Sequence, residues 1–152
     1  MKVYGHASIS DLLGDGLVYR SLEPLDRHLP GLTEIRQRLG LPSDFIPRKA
    51  MPQYAMVIFE ILNDLAGLNG SIKPIKNVIV LGDSRLNDGN AFFNLCELGD
   101  MKGFAFIGSE NTEKPQITIE DINNNKLYLA NRWNALFEFM QIVEDADFPI
   151  NE

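Results

Sequence analysis

Two aspartates with four residues between them, Asp83 and Asp88, follow the apolar run Val78-Ile79-Val80-Leu81-Gly82 and precede Gly89-Asn90. Carboxylates so spaced on one loop suit a hard cation, because Mg²⁺ takes oxygen ligands and enters through one or two carboxylates with water and phosphate. A structural fate competes with that chemistry. An aspartate after a strand closes an Asx turn or caps the next helix. Spacing alone leaves both open.

The elements that must position these carboxylates are legible around them. Val78 to Leu81, three of the four β-branched, reads as an internal strand buried on both faces, since a strand with one solvated face alternates. Phe92, Leu95 and Leu98 recur at helical spacing after Gly89-Asn90, and Gly99 closes that helix. Gly103-Phe104-Ala105-Phe106-Ile107-Gly108 is a second strand. Strand, helix and strand over roughly 30 residues make a βαβ crossover with parallel pairing. In an open α/β sheet ligands bind where the carboxyl ends of strands meet the following loops. Both aspartates fall there.

Upstream, Leu32, Ile35 and Leu39 mark a short amphipathic helix stopped by Gly40. Met51, Tyr54, Ala55, Ile58, Ile61, Leu62 and Leu65 mark a longer one, with Pro52 in its first turn. Gly70 to Pro74 form the loop into the Val78 strand. Residues 1 to 28 are weakly patterned, read either as a hairpin across Gly14 to Gly16 or as a strand ending in an acidic loop. Downstream, Ile117-Thr118-Ile119 and Leu127-Tyr128-Leu129-Ala130 are short strands flanking Asp121 to Asn125, where successive asparagines favour a turn. A last helix starts at Asn131 as N-cap and carries Trp133, Leu136, Phe137, Met140 and Val143 on one stripe. The acidic tail from Asp145 contains Pro149 and is expected to fray.

A chain of 152 residues with 45% hydrophobic and 23% charged content is expected to form one domain with its own core. The net charge of -7 disfavours nucleic acid and anionic membrane as partners. Cys96 is the single cysteine, which excludes an intrachain disulfide and a Cys-based zinc site and points to a reducing compartment. With no apolar run of spanning length and no secretory pattern at Met1, the expected location is cytoplasmic.

Gly82-Asp83-Ser84-Arg85-Leu86-Asn87-Asp88 after its apolar strand resembles the fourth motif of the haloacid dehalogenase (HAD) superfamily. Lys49-Ala50-Met51-Pro52 before the long helix is similar to the segment carrying that family's third-motif lysine. The resemblance covers about residues 45 to 145, with 49 to 145 matching the carboxyl-terminal half of the core and residues 1 to 48 atypical. It implies an α/β, Rossmann-like three-layer sandwich with a mainly parallel sheet. It also implies Asp83 and Asp88 on Mg²⁺, and Lys49 steadying nucleophile and phosphate. The family's nucleophile opens an Asp-x-Asp motif, which residues 1 to 48 lack; Asp11, with Asp15 beyond it, comes nearest. Ser43 is the candidate for a second-motif hydroxyl. Two functions follow from the resemblance: a Mg²⁺-dependent phosphatase acting on a phosphorylated small molecule, with Asp11 as nucleophile, or a non-catalytic module that binds a partner protein or small ligand. Gly82-Asp83-Ser84 also resembles the opening block of GDS-type esterases. A serine nucleophile needs a histidine base, and His6 and His28 both lie upstream, the opposite order from that family.

Overall fold

The computed structural model describes residues 32–68 and 77–146, and the side chains of 64–68 are outside that description. Asp11, the Gly14 to Gly16 turn, the Gly70 to Pro74 loop and the end of the acidic tail lie outside the described residues. The described chain runs α1 (Leu32–Leu39), α2 (Pro52–Leu68), β1 (Asn77–Gly82), a π-helical turn (Arg85–Gly89), α3 (Asn90–Gly99), β2 (Lys102–Gly108), β3 (Ile117–Ile122), β4 (Asn125–Ala130) and α4 (Ala135–Asp145).

The four strands form one sheet in the order β1-β2-β4-β3. β1 and β2 pair in parallel, with Val78 opposite Gly103 and Gly82 opposite Ile107, as the crossover through α3 requires. β4 pairs in parallel with β2 and antiparallel with β3, so the chain passes over one strand position and returns into the gap. The turn between β3 and β4 places Asn123 at φ 54° and Asn124 at φ 66°. Two successive left-handed residues make the hairpin turn whose twist matches that of the strands, and asparagine tolerates it.

Side chains alternate across the sheet, and those of β2 and β4 are covered on both faces. Ala105, Ile107 and Leu127 are buried with Phe92 and Cys96 of α3, joined by Val78 and Val80. Phe106, Tyr128 and Ala130 point the other way, against Phe139 and Val143 of α4. Leu32 and Ile35 of α1, Tyr54, Ala55, Val57, Ile58 and Ile61 of α2, and Leu95 of α3 close a further cluster. The molecule is α/β, with a mostly parallel mixed sheet between helical layers.

Three expectations are corrected. Among the described strands β1 ends the sheet, with β2 as its partner, and its residues are mostly half-buried rather than buried. Its unbroken apolar run reflects helices above and below, and cover on two faces does not require a neighbour on both edges. Leu98 is 47% exposed, and Cys96 takes the buried place on α3 instead. The last helix starts at Ala135, not Asn131, and its buried line runs through Phe139 and Val143 while Phe137 is 66% exposed.

Candidate functional site

The site is built at the carboxyl end of β1. After Gly82 the chain bends, and Ser84, in extended conformation, starts the π-helical turn: its Oγ accepts the Asn87 N–H at 3.1 Å. Its carbonyl accepts from both the Asp88 N–H at 2.8 Å and the Gly89 N–H at 3.1 Å. The wide turn swings Asp88 back beneath the start of its own loop. One oxygen, Oδ2, accepts the N–H groups of Asp83 and Ser84, each at 3.1 Å. The other, Oδ1, lies 3.0 Å from the Lys49 ammonium, donated from the segment before α2.

Gly82 makes this closure possible. A Cβ there would stand 2.4 Å from Asp88 Cγ, so only glycine lets the carboxylate pass under the strand end. Asp88 is 9% exposed, and its ion pair is correspondingly poorly screened. A carboxylate taken this far from water needs both oxygens answered, and two amides with an ammonium answer them.

Of the sequence-predicted residues, the structure brings Lys49 and Asp88 into contact across 39 positions and keeps Asp83 beside them through its backbone. The Asp83 side chain is exposed at the edge, with no hydrogen-bond or ion-pair partner among the described residues. Ser43 is also exposed. Ser84 Oγ serves as a cap, and no histidine lies among the described residues to act as its base. Among the described residues no group of three or more His, Cys, Asp or Glu converges as a metal ligand set. Cys96 is buried, and that burial pushes its thiol up to about 12 despite the opposing charge of Lys102. A thiol so raised is not a nucleophile at neutral pH.

Sequence reasoning missed the residues that brace this edge. Arg85 reaches across the α3 face to Glu120 of β3 with both Nε and Nη2, and Nη1 donates to Asn90 Oδ1 at 2.9 Å. Its guanidinium carbon also stands 5.4 Å from the centre of the Phe93 ring. The hydrogen bonds and charge of Arg85 hold Glu120 below the usual carboxylate range, against a smaller upward push from burial. Asn131, expected as a helix cap, instead clamps the loop between β2 and β3. Its side chain accepts from Gln116 N–H at 2.8 Å and donates to the Lys114 carbonyl at 2.8 Å. Trp133 lies over Gly108, where a Cβ would meet the indole at 2.7 Å, and against Phe106 with ring centres 5.9 Å apart.

No protein-family model, no curated protein and no solved structure matches the chain. Among the described residues no helix is long and apolar enough to cross a membrane.

Proposed function

We propose that the carboxyl edge of β1 is a HAD-like site that binds a phosphoryl group with Mg²⁺. Asp83 would hold the cation, Lys49 would face the phosphate, and Asp88 would position both. The observation that carries this reading is the Asp88 carboxylate, which ties the Lys49 ammonium to the backbone of Asp83. An exposed carboxylate and an ammonium fixed at one strand end offer opposite charges to a cation and to an anion together. Asp88 lies nearby as a further acid, but its oxygens already answer an ammonium and two amides, so the fit to Mg²⁺ rests on Asp83 and bound water. When bound, the cation would neutralise phosphate charge; the chain's own contribution is to orient the group and to hold Lys49 in place beside Asp88.

Turnover would need a nucleophile in line with that phosphate, the role the resemblance gives Asp11. The engagement of both Asp88 oxygens favours a second reading, the non-catalytic module, in which the edge binds its ligand without reaction.

Thermal melts in millimolar Mg²⁺, with and without inorganic phosphate, test the site. The expected result is a melting temperature raised by Mg²⁺ in the native chain and unmoved in Asp83→Asn, since a ligand that binds only the folded state stabilises by mass action. An unchanged native melt, with Asp83→Asn alone more stable, would reduce the acids to a repulsive structural pair. Aryl phosphate hydrolysis lost in both Asp11→Asn and Asp83→Asn would assign the phosphatase. Binding without turnover would assign the non-catalytic module.

A further inference from the structure

Among the described residues β3 ends the sheet opposite β1, and its first half, Ile117 to Ile119, carries none of the charges that protect an edge. Edge strands are ordinarily blunted by lysine, proline or a bulge, because their unpaired N–H and C=O groups template pairing with another chain. β3 reads Ile-Thr-Ile-Glu-Asp-Ile, and Ile117, Ile119 and Ile122 are 44%, 55% and 48% exposed. Thr118 and Asp121 are exposed as well. Ile117 lies opposite Ala130 and Ile119 opposite Tyr128, so both isoleucines stand on the α4 face beyond the cover of that helix.

The direction of the backbone groups is fixed by the ladder. The Asn131 N–H donates to the Gln116 carbonyl at 3.3 Å, which makes Gln116 a bonded position of the β3–β4 pair. Antiparallel ladders alternate, so Thr118 and Glu120 also bond inward, and Ile117, Ile119 and Asp121 turn their N–H and C=O groups outward. From these positions we infer that β3 pairs antiparallel with β3 of a second copy of this chain, about a two-fold axis at Thr118.

The register follows from what each alternative sets face to face. An axis at Glu120 opposes two glutamates and puts Ile119 against Asp121. With the axis at Ile119, Ile117 meets Asp121 and Thr118 meets Glu120. At Thr118 the axis sets Ile117 against Ile119 twice, Thr118 against Thr118, and Glu120 against the uncharged Gln116. Of these three, that register joins the four isoleucines into one apolar strip without opposing carboxylates, and its outward groups supply reciprocal backbone bonds at each Ile117–Ile119 pair, whereas an axis at Ile117 would set Ile119 against Pro115, which has no N–H to return the bond. Glu120 is already neutralised by Arg85 within its own chain. The two sheets become one of eight strands, by the closed isologous geometry usual for homodimers.

Sedimentation over a concentration series tests the assembly. The native chain should shift from monomer to dimer as concentration rises through the micromolar range, as a small strand-edge interface implies. Ile119→Lys, at an exposed position that leaves the fold intact, should raise the dissociation constant about tenfold or more, because each dimer then sets two lysines into the apolar strip. Thr118→Cys should cross-link into a dimer under mild oxidation, since a non-bonded antiparallel pair brings its Cα atoms to about 4.5 Å, within disulfide reach. Ile122→Cys, far from its own copy in this register, should not. A native chain that stays monomeric into the millimolar range overturns the inference. So does a dimer indifferent to Ile119→Lys, or one cross-linked equally through either cysteine variant.

Discussion

Asp88 joins three partners from two separate parts of the chain, and Gly82 exists to let it do so. Replacing Asp88 by alanine leaves the Lys49 ammonium and two loop amides without their acceptor, at an expected cost of about 2–4 kcal/mol in urea denaturation. Gly82→Ala should cost a comparable amount by a different route, because its Cβ would occupy the space of Asp88 Cγ. The two effects share part of one volume, so they should not add fully: Asp88→Ala removes Cγ and Oδ2 but keeps Cβ, 2.5 Å from the added methyl, so Gly82→Ala should cost less in that background than in the native chain without becoming free. A double-mutant cycle measures this. Full additivity would mean that the carboxyl group of Asp88 is not what Gly82 makes room for.

At the scale of elements, the Arg85–Glu120 pair ties the turn after β1 to the far strand of the sheet, 35 residues on. Glu120 is held below its ordinary range in the folded state, so the unfolded chain takes up the proton first as pH falls. The stabilisation is therefore present above the ordinary glutamate value of about 4.3 and is lost as pH drops through the lower, folded value. Both side chains keep about a third of their surface in solvent, which limits the contribution to roughly 1 kcal/mol or less. The gap between the denaturation midpoints of the native chain and Glu120→Gln should narrow as pH falls from neutral toward 3; a gap that does not change with pH would assign the cost to packing. Neither partner of this pair carries a local signal. The β1–α3–β2 unit was readable because its periods of two and 3.6 are written in consecutive residues, and the left-handed Asn123-Asn124 turn because asparagine pairs favour it. The phase of α4 was not. Trp133, Leu136, Phe137, Met140 and Val143 form one acceptable stripe, Leu136, Phe139, Met140 and Val143 another, and the sheet chose the second. Asn131 suits a cap by residue type, yet the loop it clamps is known only once β2 and β3 are placed.

The whole molecule carries a net charge of -7, and any association between copies works against that repulsion. Since the strip proposed at β3 contains no ion pair across the axis, screening should help it. Raising salt from about 0.05 M to about 0.5 M shortens the Debye length from roughly 14 Å to roughly 4 Å and should tighten the dimer several-fold by sedimentation equilibrium. Weakening by salt would show that opposite charges hold the copies together, and so that the interface lies elsewhere. The core itself is continuous through the sheet, with Phe92 and Phe106 each fully buried on opposite faces. The position of Trp133 has a spectroscopic consequence. It is the chain's only tryptophan, 39% exposed, and it rests on the last residue of β2, one strand over from the bend at Asp83. Its emission is therefore a built-in optical reporter of this edge of the sheet, excited without labelling and free of any second indole, through which water entry or ligand arrival beside β1 is read as a change in colour and intensity.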